Sequence, residues 1–166
     1  MRSKILFVLV ILVASAGIVF WQGLLPLDQG VQYRNEQFGL LVELPDNWRG
    51  FTTNNQPEDI YDVTGTVTTN NGVVATFPTI QIRHSLSTLE KPRQDIPVMV
   101  FTVDQWEHIM AEEWSVGAAP IPPTELARNS QYVFALPARY NYAFPEGHEE
   151  VEQILATSPV SAFEPR

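Results

Sequence analysis

Hydrophobic and polar positions divide this chain into two unlike parts. Arg2 and Lys4 precede an apolar run from Ile5 to Trp21, extended by Leu24, Leu25 and Leu27, and the next charge is Asp28. A helix needs roughly 20 apolar residues to cross the hydrocarbon core of a bilayer, and residues 5–27 meet that length. Trp21 suits the aromatic belt at the outer interface, and the basic N-terminus would stay in the cytoplasm, leaving residues 28–166 outside the cell membrane. Two other readings compete with this signal anchor over residues 1–27. The basic start, the apolar stretch Ile5–Val13 and Ala14-Ser15-Ala16 also match a signal peptide, and cleavage after Ala16 would make the protein secreted. The third reading is a buried core helix.

From Gly30 onward the pattern turns to β. Val31–Arg34 and Leu40–Leu44 predict two strands joined by a turn over Asn35–Gly39, with Gly39 free to take positive φ. Pro45 ends that hairpin, and a third extended piece starts at Gly50-Phe51-Thr52. Thr53–Asp59 is polar and predicts a surface loop. Asp62–Thr68 alternates weakly and predicts a strand, followed by a turn at Asn71-Gly72, a pair that favours a tight hairpin. Val73–Phe77 and Thr79–His84 predict strands on either side of Pro78. Ser85–Asp95 predicts a loop, and Ile96–Phe101, the most apolar run outside the N-terminus, a central strand. Tyr132–Leu136 and Val160–Phe163 predict further strands.

Two segments carry a helical period. Thr102-x-x-Gln105 is a capping-box signature, after which Val103, Trp106, Ile109 or Met110 and Trp114 share one face. A second helix is predicted from near Pro145, with Val151, Ile154 and Leu155 inward and its early glutamates at the positive end of the helix dipole. The proline-rich stretch Pro120-Ile121-Pro122-Pro123 reads as a stiff connector in preference to a polyproline ligand. The order of elements predicts an α+β domain over residues 28–166, a mostly antiparallel sheet packed by helices. Trp48, Trp106 and Trp114 are expected at the sheet–helix interface.

Charge narrows the function. Without Arg2 and Lys4, eight basic residues face nineteen acids, a net charge of −11. Such a surface repels phosphate backbones, which excludes nucleic acid as a partner. Lys91 is the single lysine of this part, which argues against adhesion to anionic lipid headgroups. The chain has no cysteine, so neither a disulfide framework, nor a lipid-modified cysteine, nor a thiol nucleophile is available.

Candidate chemistry is sparse. His108 and Glu112 stand four apart on the first predicted helix and would share a face as metal ligands, with His84 a distant third. Arg128 and Arg139 flank the strand Tyr132–Leu136; with Tyr140 they are candidate binding residues, although ion pairing with the many glutamates is the plainer role. No serine lies in a G-x-S-x-G elbow, and no glycine-rich nucleotide motif or H-E-x-x-H helix is present. These observations predict a non-enzymatic protein without a cofactor.

The opening segment Tyr33-Arg34-Asn35-Glu36-Gln37-Phe38-Gly39-Leu40, followed by Leu44-Pro45-Asp46-Asn47-Trp48, resembles the first hairpin of PsbP-like domains and their Mog-type relatives. Tyr132–Asn141 also resembles exported bacterial proteins of that general type. The resemblance implies an α/β/α sandwich over residues about 31–166, and a group that binds partner proteins, in places near metal ions, without general enzymatic activity. None of that group's functional residues maps onto this chain. The expectation is a membrane-tethered, extracytoplasmic interaction or assembly module with an envelope protein partner, or alternatively a small-ligand or divalent-metal binding domain.

Overall fold

The computed structural model describes residues 30–117 and 121–166; the predicted anchor or signal segment 1–27 and Pro120 lie outside them. The strands are Val31–Asn35 (β1), Leu40–Leu44 (β2), Thr52–Asp62 (β3), Val73–Arg83 (β4) and Ile96–Thr102 (β5). The helix Val103–Met110 (α1) and the strands Trp114–Val116 (β6), Thr124–Arg128 (β7) and Tyr132–Leu136 (β8) follow. The helix His148–Ala156 (α2) and the strand Val160–Ala162 (β9) complete the fold. The protein is α+β, with two antiparallel sheets ordered β1-β2-β9 and β6-β3-β4-β5-β8-β7. Among the described residues no helix is long and apolar enough to cross a membrane.

Strand β5 sits at the middle of the larger sheet and is buried along Ile96–Phe101. Successive strand side chains point to opposite faces, so a run apolar at every position serves two cores. Ile96, Val98 and Val100 join one cluster with Leu40, Val42 and Val160 of the smaller sheet and Val151 and Ile154 of α2. Met99 and Phe101 join the other, with Phe77, Val133 and Trp106 and Ile109 of α1. Each large side chain fully removed from water contributes about 1.5–3 kcal/mol, so the alternation of β5 ties both layers to one strand.

Several local signals act as their chemistry requires. The capping box forms: the Thr102 hydroxyl accepts the Gln105 N–H, and the Gln105 side chain accepts the Thr102 N–H at 3.0 Å. Gly39 has φ +73°, and a Cβ there would lie 2.0 Å from the Phe163 carbonyl oxygen, so the β1–β2 turn admits no side chain. Asn129 locks the same corner by donating to the carbonyls of Phe38 and Phe163.

Other expectations need correction. Thr53–Asp59 is not a loop but lies within β3, whose side chains there are nearly all exposed; with no buried face, no alternation marked it. Conversely, Asp62–Thr68 is not a strand beyond Asp62. The Asp62 carboxylate accepts the N–H groups of Thr64 and Val67 and the hydroxyls of Thr64 and Thr66, folding the chain into a loop. These bonds, the Thr64 hydroxyl foremost, hold that carboxyl well below the usual carboxylate range. Asn71 and Gly72 both take positive φ, but at the end of the loop 63–72, not in a two-residue hairpin.

Pro78 does not divide two strands. It lies inside β4 directly opposite Pro57, so both missing donors fall at one register position. Helix α1 stops at Met110, and Trp114 belongs to β6; Glu112, with φ +58°, turns the chain between them. Strand β7 carries no sequence signal, since it is a partly exposed edge with a register shift. Helix α2 starts at His148, capped by Gly147 at φ +81°, and not at Pro145.

Two substitutions separate these contributions. Thr102→Ala should lower unfolding free energy by about 1 kcal/mol, the ordinary worth of an N-cap. Gly39→Ala should cost more than the roughly 1–2 kcal/mol of a left-handed alanine, because β9 must also move. Urea denaturation of the three proteins checks the order, and a milder effect for Gly39→Ala would contradict the close approach.

Candidate binding groove

The loops at one end of the larger sheet meet around Arg93 and Glu150. Pro45 ends β2, and the 3-10 turn Asp46–Trp48 brings Asn47 and Trp48 against the first turn of α2. Glu150 in that turn accepts the Asn47 amide at 2.6 Å, the Trp48 indole N–H at 3.1 Å and the Arg93 guanidinium at 3.0 Å. Arg93 reaches Glu146 as well, at 2.5 Å. The backbone follows the same path, because the Gln94 N–H donates to the Glu146 carbonyl and the Gln94 amide to the Tyr140 carbonyl. Gly147 leaves room for the clamp: a Cβ there would lie 2.9 Å from Arg93 Nη2.

Electrostatics agree with this geometry. Burial alone pushes the Glu150 carboxyl up, but hydrogen bonds from Asn47, Trp48 and Arg93 outweigh it, and the carboxyl lies below its ordinary range. Its position in the first turn of α2 adds the favourable helix dipole. The Trp48 ring is buried and meets His84 edge to face at 4.9 Å between centroids.

Beside this clamp opens a groove of about 950 Å³. One wall is the Gly30–Gln32 end of β1 with Glu43, Leu44 and Pro45; the other is α2 with Glu150, Gln153, Ile154 and Thr157. Its lining mixes backbone, carboxylate, amide and apolar groups in the manner of a recognition surface. Strand β1 lies at the edge of the smaller sheet, with no further strand beyond it among the described residues.

The candidate residues named from sequence fall elsewhere. His84 is buried, and its Nδ1 accepts the Leu86 N–H at 3.0 Å. His108 lies on α1 at the other face of the sheet, stacked on Trp114 at 4.2 Å. Its Nδ1 meets Glu113 at 2.6 Å, not Glu112, because α1 ends before the four-residue spacing can be completed. Among the described residues no three His, Asp or Glu side chains converge as metal ligands would.

Arg128 and Arg139 do lie at opposite ends of β8, but they do not form one site. Arg128 binds Glu125, whose carboxyl it holds below its usual range. Arg139 lies over Tyr142 at 5.9 Å and borders a smaller hollow of about 280 Å³. The Tyr140 phenol is raised by burial and by the charge of Glu152.

No family model, curated protein or solved structure matches the chain.

Glu150 sets a pH dependence. Its folded pKa is below its unfolded value, so its stabilisation is present above the unfolded pKa and disappears as pH falls through the folded one. The urea midpoint of wild type should therefore exceed that of Glu150→Gln at neutral pH, with the gap closing below about pH 4. A gap independent of pH would remove the carboxylate from this role.

Proposed function

We propose that the chain is a membrane-tethered, extracytoplasmic binding module that holds a segment of an envelope protein in the groove between β1 and α2. The observation that carries this reading is the groove itself, bordered by an edge strand and by Glu150, which Arg93 holds in place. An edge strand offers backbone donors and acceptors to an extended peptide, while a neighbouring groove selects its side chains. Rigid walls lower the ordering cost of binding. The tether comes from residues 5–27, which precede the groove's first residue, Gly30, by a short link. A net charge of −11 over residues 28–166 favours a partner with basic side chains. The likeness of the opening hairpin to PsbP-like domains supports a sandwich of that kind and a partner-binding, non-catalytic role.

The groove's volume also suits a small ligand, which is the second reading. In intact membranes, a photo-crosslinking residue at Gln153 should yield one discrete adduct, and the same residue at Thr68, on the loop 63–72, none. Thr157→Trp should abolish the adduct by filling the groove. Adducts from both positions, or survival of the adduct with the groove filled, would sink the assembly reading. A saturable thermal shift with a metabolite or divalent cation, absent in Thr157→Trp, would favour the small ligand.

A further inference from the structure

Four large apolar side chains lie open to solvent on two loops at one end of the domain: Leu86 at 67 %, Leu89 at 98 %, Tyr142 at 75 % and Phe144 at 67 % exposure. Leu86 and Leu89 belong to the β4–β5 loop, Tyr142 and Phe144 to the segment between β8 and α2. Topology places both loops together. Strand β4 ends where β5 begins and β8 runs antiparallel to β5, so the two loops leave the sheet at the same edge. The Gln94 bonds to Glu146 and Tyr140, with Arg93 bound to Glu146, then join them directly.

Gly30, the first described residue, lies at this same end. Gly30 packs against Leu44, one residue from Pro45, and lines the groove with Asn47 and Glu150. Glu150 is bound to Arg93 of the first loop. The chain before Gly30 contains the apolar run 5–27.

We propose that these two loops rest on the outer lipid surface, with Leu86, Leu89, Tyr142 and Phe144 inserted at the headgroup–acyl boundary; this rests on the membrane-tethered reading above. Leucine and aromatic side chains are the types that settle at that depth. The tether raises the local concentration of the loops at the bilayer, so a shallow, individually weak insertion is sufficient. Arg93 and Gln94 hold the loops in shape, so little ordering entropy opposes contact. Charge selects the lipid: Glu90 and Lys91 beside Leu89 offset each other, and an acidic domain fits a zwitterionic surface better than an anionic one.

The chain lacks cysteine, so single-cysteine variants label cleanly. Leu89→Cys, Phe144→Cys and Val63→Cys, each at an exposed side chain, would carry a polarity-sensitive dye on the full chain in phosphatidylcholine vesicles. Val63 is the control, since it lies beyond the far end of β4, roughly 30 Å away by strand rise. Docking predicts blue-shifted emission and quenching by nitroxide lipids at positions 89 and 144, with neither at 63. If the chain floats with the vesicles but all three dyes stay in water, the loops do not dock and the tether stands. A blue shift that grows with protein density and resists lipid quenching would assign the loops to a second copy, overturning lipid docking. Failure of the full chain to float would remove the tether reading and this inference with it.

Discussion

Burial of β5 on both faces is the constraint from which the rest of the architecture follows. A strand apolar at consecutive positions cannot meet water on either side, so the sheet around it must be covered twice. One cover is α1, brought back at once by the capping box at the end of β5. The other combines the small β1-β2-β9 sheet with α2, elements from opposite ends of the chain. That second cover is assembled from pieces distant in sequence, and the groove lies at its margin. Packing joins β1 to α2 through the shared cluster, in which Val31 meets the group holding Val151 and Ile154, and polar contacts to Glu150 fix the turn after β2 against the start of α2.

The clamp around Glu150 is therefore both structural and positional. Three donors from two separate loops converge on one carboxylate, and one of them, Arg93, also holds Glu146 a turn earlier. A half-buried carboxylate with three partners, one of them a charged guanidinium, has its orientation fixed from several directions. The groove wall inherits that definition. His84, packed on Trp48, extends the rigid region into the β4–β5 loop without being needed as a ligand.

What was legible in the sequence divides along physical lines. Elements with a buried face announced themselves: β2, β5 and β8 by apolar runs, α1 by its capping box and period. The first hairpin was readable because Gly39 and Pro45 carry stereochemical demands. The extended start of β3 is readable at Gly50-Phe51-Thr52, but its Thr53–Asp59 stretch reads as a loop because it buries almost nothing, and β7 gives no signal because it is a partly exposed edge. The loop at Asp62 was mistaken for a strand since threonine and valine have high β-propensity, while the capping carboxylate has no strong signature. At the groove, local reading had even less purchase. Arg93 and Glu150 stand 57 positions apart, and no rule of spacing connects them. His108 and Glu112 offered a local pattern instead, and the early end of α1 dissolved it.

Pro57 has a wider consequence. It interrupts a long stretch of β3 whose outer edge, before the short pairing with β6 at Ile60–Asp62, has no strand partner among the described residues. Exposed edges recruit identical edges, and the tendency rises steeply wherever copies of a chain are crowded. Proline followed by Glu58 and Asp59 is a residue combination that discourages edge pairing, the acids by like-charge repulsion between copies. The same polar character that leaves Thr53–Asp59 without an alternating signal therefore disfavours self-pairing of crowded copies along this edge.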